Sequence, residues 1–190
     1  MKNIFIIIFA LALGIYFLMP VDSITQLDIS KLTATQQQQL DKAAASKAAL
    51  GKKLVSTLTA KMKADGPVAA IELCNTQALP LTAEIAATQG VRIGRTSFKL
   101  RNPENAAPTW AAASVEAKVK DTQAFAGSDG SLSVLYPITT QAKCLTCHAS
   151  EGKVAAPLVS ALHEKYPNDN AFGFIEGSLR GYFWVEVNAE

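Results

Sequence analysis

Gly181-Tyr182-Phe183-Trp184-Val185-Glu186-Val187 is the stretch that decides the fold. Aromatic and β-branched residues fill it, which is the composition of a strand on a half-buried sheet. Two other stretches read the same way. Val91-Arg92-Ile93-Gly94-Arg95-Thr96-Ser97-Phe98 alternates apolar and polar residues, and Ser131 to Ile138 follows a Ser128-Asp129-Gly130 turn. All three lie beyond residue 90. What precedes them is helical in character. Ser30 to Ala64 is rich in Ala, Gln, Lys and Leu, lacks proline and carries one glycine, Gly51. Leu40, Ala44, Lys47, Leu50, Leu54 and Leu58 give it a mainly apolar stripe. Asp65-Gly66-Pro67 breaks this helix, and Pro67 suits the first turn of another over about Val68 to Gln89, kinked at Pro80. Trp110 to Val119 and Ala156 to Lys165 read as shorter helices. Helices first and strands later predict an α+β domain with an antiparallel sheet. No internal repeat is visible.

The motif that carries chemistry is Cys144-Leu145-Thr146-Cys147-His148. It is C-x-x-C-H, the pattern of covalent haem attachment. Two thiols at this spacing reach the two vinyl groups of one porphyrin, and the adjacent histidine falls under the iron as proximal ligand. The competing readings are a redox dithiol or half a zinc site. A zinc site would need four ligands from Cys74, Cys144, Cys147, His148 and His163, at spacings unlike the usual ones. A thioredoxin-like site would want a strand just before the motif. Haem attachment is therefore the expectation, with the motif on a short helical turn.

Covalent haem is attached outside the cytoplasm, and the N-terminus agrees. Met1-Lys2-Asn3 is a short positive segment, and Ile4 to Met19 then runs without a charge until Pro20. That length is near the upper limit for a signal peptide core and short for a bilayer span. No A-x-A site follows, and Val21-Asp22-Ser23 is only a weak cleavage pattern. Residues 1–23 read as a signal peptide or an N-terminal membrane anchor, and residues 24–190 as one haem domain with a real core. The expected location is the periplasm, with an inner-membrane tether if the leader is retained.

Apolar residues make up 49% of the chain and the formal net charge is +2. Two ionised haem propionates would bring the holoprotein near neutrality. No Lys/Arg block or basic-aromatic stripe appears, so no nucleic-acid partner is expected.

A six-coordinate haem needs a second axial donor. The chain beyond residue 23 offers Cys74, Met62 and His163, ahead of Lys or Tyr. Cys74 is the odd cysteine of three, and a free thiol in an oxidising compartment calls for an explanation. The alternative is a small buried helix residue. Met62 sits on an amphipathic helix and His163 in a polar stretch. Arg95, Lys99 and Arg101 suit either haem propionates or a solvated strand edge. Asn102-Pro103-Glu104-Asn105 reads as a turn. Trp110, Phe172, Tyr182, Phe183 and Trp184 suit either a pocket wall or the core.

Several separated blocks carry a resemblance. They are Ala70-Ile71-Glu72-Leu73-Cys74-Asn75, the run Gly94 to Asn105, Cys144 to His148, Tyr166 to Gly173, and Gly177-Ser178-Leu179-Arg180-Gly181. Through them the chain resembles the PAS-like single-haem c-type cytochromes, over roughly residues 45 to 188. Ala149 departs from a usual glycine after the haem histidine, and Ser178 from an aspartate. The resemblance implies a PAS-like antiparallel sheet with the N-terminal helices packed on it. It also implies that the iron is held between His148 and the thiolate of Cys74. Such ligation stabilises ferric iron and predicts a low potential with no open coordination position.

Two function classes follow. One is an exported monohaem c-type cytochrome passing single electrons to an unidentified redox partner protein. The other is a haem-based redox or gas sensor module. The resembling domain also occurs as an extracytoplasmic input of signalling proteins, and here no output domain follows the last strand. A sensor would then work through a separate partner. No acid-base pair or triad stands out, so an enzyme is not expected.

Overall fold

The computed structural model describes residues 24–189. The expected leader lies outside the described residues. The chain opens with strand β1 (Ile24–Leu27) and a short 3-10 turn, then enters helix α1 (Ala34–Gln89). Thr33 caps α1: its Oγ1 accepts from the Gln36 N–H, while Gln36 Oε1 accepts from the Thr33 N–H. This reciprocal cap sets the start of the helix four residues later than Ser30.

Gly66, at φ 82° and ψ 171°, is the one residue in α1 that leaves helical geometry. It folds the helix into two antiparallel arms. Lys53 Nζ lies 3.1 Å from Glu84 Oε1. On a straight helix those residues would stand about 46 Å apart. The break before Pro67 is thus where the sequence places it. Pro80 causes no second break, because dihedrals stay helical through it. The buried face of the first arm is Gln39, Ala43, Ser46 and Leu50, so the expected stripe is rotated, with Ala44 exposed.

Strands β2 (Arg92–Thr96), β3 (Gln123–Gly127), β4 (Leu132–Thr139) and β5 (Leu179–Val187) complete a five-stranded sheet in the order β1-β3-β4-β5-β2. Every pairing is antiparallel. The architecture is α+β, with the N-terminal helix pair on the sheet, consistent with a PAS-like fold. Strand alternation sends residues to two covered faces. Leu132, Val134, Val185 and Val187 pack with Ala43 and Leu50 of α1. Leu135 and Tyr182 point the other way, against Ala111 and Val115 of helix α2 (Thr109–Glu116). Two strands escaped the sequence reading. β1 is short and largely exposed, and β3 is the Ala- and Gly-containing run Gln-Ala-Phe-Ala-Gly, poor in strand formers. Pairing with β4 holds β3 in place, and β1 adds to its outer side.

Gly94 pairs directly with Trp184, and a Cβ there would clash with the indole ring. Gly94→Ala should therefore cost about 1–3 kcal/mol through overpacking. Urea denaturation checks this, and a midpoint equal to that of the wild type would contradict it.

A third packing unit joins the second arm to the C-x-x-C-H turn. Cys144 ends a 3-10 turn, and Leu145–His148 form the short helix α3. Helix α4 (Ala156–Lys165) follows. Ile71 packs with Ala149, Leu158, Leu162 and Tyr166, and Cys147 lies against them. Asn75 Nδ2 donates to the Lys165 carbonyl, and Lys165 pairs with Glu72 at 2.7 Å. The arm carrying Cys74 is therefore fastened to the unit carrying His148.

Candidate functional site

The two arms of α1 and one end of the sheet line a cleft of about 290 Å³ that opens to solvent. Its apolar walls include Leu54 and Leu58 from the first arm, Leu73 and Leu79 from the second, and Ile138 and Phe183 from the sheet. Cys74, Cys144 and His148 line this one space. Cys74 comes from the helical face that continues from Ile71 to Ala78. Cys147, on the neighbouring turn, is half-buried beside the Ile71 cluster. The three cysteines form no disulfide with one another. Neither Met62 nor His163 lines the cleft. His163 is exposed, with Nε2 3.1 Å from Glu151 Oε1. Among the described residues, no group of three or more His, Cys, Asp or Glu gathers as a metal cluster.

His148 is oriented by a clasp of hydrogen bonds. Its Nδ1–H donates to the Ala171 carbonyl at 2.8 Å, which leaves the Nε2 lone pair available to a metal. The Ala171 N–H donates to Asp169 Oδ1 at 2.7 Å. Arg101 Nε donates to Asp169 Oδ2 at 2.8 Å, and the same guanidinium donates to the Cys147 carbonyl at 2.6 Å. The Phe174 N–H donates to the His148 carbonyl, closing the other side. The Asp169 side chain is only 1% exposed. Burial, followed by the Arg180 and Arg101 charges, holds the His148 pKa down to about 2. The imidazole is therefore neutral, the form that binds metal.

The electrostatics of the cleft are one-sided. Its charged lining residues are Arg95, Arg101 and Arg180, and among the described residues no carboxylate lines it. Burial pushes the Cys74 thiol up, while Arg95 and Arg101 oppose that shift. Burial likewise raises Cys147, against Arg101. Arg95 and Arg101 thus turn out to face the cleft, not a solvated edge. Lys99 turns away to the Phe172 carbonyl at 3.0 Å. Of the five aromatics in question, only Phe183 walls the cleft. Trp110, Tyr182 and Trp184 pack around α2, and Phe172 against the α4 cluster. Arg180 and Asp169 were not singled out from the sequence, although both lie inside blocks that carry the resemblance.

The residues present fit a haem. Apolar walls suit a porphyrin face, and a neutral imidazole with its outer nitrogen already committed suits iron. A second soft donor lines the same space, and the guanidiniums suit acidic side groups. His148 and Cys74 would hold the iron, and Cys144 and Cys147 the porphyrin edge.

Comparison with known proteins bears on the fold and the family. The crystal structure of the cyanobacterial heme-protein Tll0287 matches with a TM-score of 0.60 at 23% identity. The match covers 80% of this chain and 96% of that one, and at that identity it speaks to the fold alone. No curated protein matches the chain. The Tll0287-like family model matches residues 24–188, from the first residue of β1 to one residue past the end of β5. The chain therefore belongs to the Tll0287-like family.

Proposed function

We propose that this protein is an exported monohaem c-type cytochrome that carries single electrons at low potential. The observation that carries the reading is the meeting of Cys74 and His148, distant in sequence, in one cleft beside Cys144. That a protein of the same fold is named a heme-protein supports it. A bound haem supplies a one-electron ferric/ferrous couple.

The chain's own residues do the rest. Cys144 and Cys147 fix the porphyrin covalently. His148 presents Nε2 because the Ala171 carbonyl holds its other nitrogen. Cys74 would supply a thiolate to the iron, which would favour the ferric state and lower the potential. Leu54, Leu58, Leu73 and Leu79 keep water from the faces of the ring. With His148 and Cys74 both serving as iron donors, the haem would be a carrier site and not an oxygen-activating one. Residues 1–23 direct it to the periplasm and tether it to the inner membrane if retained. Its partner is another redox protein.

Two measurements test the reading. A denaturing gel stained for haem should show one band at the monomer position, lost in Cys144→Ala/Cys147→Ala. Haem extracted freely into acidified organic solvent would overturn covalent attachment. The reduced protein should also refuse carbon monoxide. Ready binding would replace the carrier reading with that of a gas sensor. Cell fractionation tests location separately, and holoprotein confined to the cytosol contradicts export.

A further inference from the structure

We propose that Arg95 and Arg180 form a paired carboxylate subsite in the cleft, taking the two propionates of the haem. The proposal rests on the haem reading above and adds to it the residues that recognise the acidic edge of the ring.

The cleft carries unbalanced charge. Among the described residues, three guanidiniums line the cleft and no carboxylate does. Arg101 is already committed, with Nε on Asp169 and the terminal nitrogen on the Cys147 carbonyl. Its charge is cancelled by a carboxylate that is itself 1% exposed. Arg180 has only neutral partners, through one nitrogen: Ser97 Oγ at 3.1 Å and the Lys99 carbonyl at 3.4 Å. Arg95 makes no hydrogen bond or ion pair among the described residues. It stands half-buried on β2, paired with Phe183 of β5, and both side chains line the cleft. Two positive charges are left over.

These charges carry a cost. Burial and the neighbouring Arg101 and Arg95 push the Arg180 pKa down to about 10, and burial lowers that of Arg95. Half-buried cations without counter-charge destabilise a fold, and an occupant with two carboxylates removes that penalty. Arginine suits the role, because its planar fork grips a carboxylate with two parallel hydrogen bonds. The match is one of number as well as sign: two free guanidiniums, two propionates.

The test uses full-length holoprotein of Arg95→Gln and Arg180→Gln. Arg92→Gln is the control, since Arg92 pairs with Glu186 away from the cleft. Resonance Raman of the propionate-bending bands should shift in each cleft variant and stay fixed in the control. The midpoint potential should fall in each cleft variant, because losing a nearby positive charge favours ferric iron. Arg95→Lys should restore the potential but not the band, since it keeps the charge and loses the fork. Unmoved bands and potentials overturn the proposal.

A second measurement avoids dependence on holoprotein yield. Haem and haem dimethyl ester are titrated into the Cys144→Ala/Cys147→Ala protein. The ester should bind about tenfold more weakly or worse, the scale of one lost charged hydrogen bond. Equal affinities overturn the proposal and leave the haem reading standing.

Discussion

Asp169→Ala should destabilise the protein by about 3–5 kcal/mol, the cost of stranding a buried charge by removing its partner. The carboxylate is 1% exposed and Arg101 only 13%. Removing it leaves the Arg101 guanidinium unpaired, and it also frees the Ala171 N–H that fixes the loop behind His148. Urea denaturation measures the loss. Arg101→Met in the same protein should recover part of it, because a buried pair replaced by apolar groups is often near neutral. A loss below about 1 kcal/mol, the worth of an exposed pair, would show that the clasp is decorative.

Cys74→Ser should keep covalent haem yet abolish the low-spin thiolate spectrum. The potential should rise, since an electron-rich sulfur no longer favours ferric iron. The reduced variant should bind carbon monoxide at the vacated position. Met62→Ala and His163→Ala should leave the ferric spectrum unchanged, because neither residue lines the cleft. If Cys74→Ser is silent and either of those is not, the ligand assignment and the low-potential argument fail together. Attachment through Cys144 and Cys147 would survive.

How much of this could be read from the chain depends on how local the signal is. β5 and β4 were legible because aromatic and β-branched residues crowd them, and β2 because it alternates. The α1 hairpin was legible because Asp65-Gly66-Pro67 combines a glycine with a proline suited only to a first turn. β3 was not, since its small residues are strand only by virtue of their pairing with β4. At Pro80 the backbone dihedrals stay helical, so the chain breaks at Gly66 and runs on through Pro80 as one helix. At the site, the C-x-x-C-H motif announces itself. The clasp does not. Arg101, Asp169 and Ala171 act through contacts spanning up to 68 residues, and nothing in an isolated Asn168-Asp169-Asn170 says which loop it will hold. Arg180 was hidden in the same way, its meaning set by the absence of any carboxylate on the cleft wall.

The fastening of the second α1 arm to the C-x-x-C-H unit has a mechanical consequence. Gly66 is the natural joint of the hairpin, and Cys74 stands eight residues beyond it, about 12 Å along the helix. A free arm of that length would swing Cys74 by about 2 Å for every 10° of rotation. But Ile71, Glu72 and Asn75 are all anchored to the unit that carries His148. The two donors therefore ride on one body, like the jaws of a locked caliper, and motion at Gly66 moves them together. If they hold the iron as proposed, their separation would change little with its charge, and the rearrangement that accompanies each electron would stay small. Release of Cys74 on reduction would have to come from rotation of its own side chain, a single torsion, not from opening the hairpin.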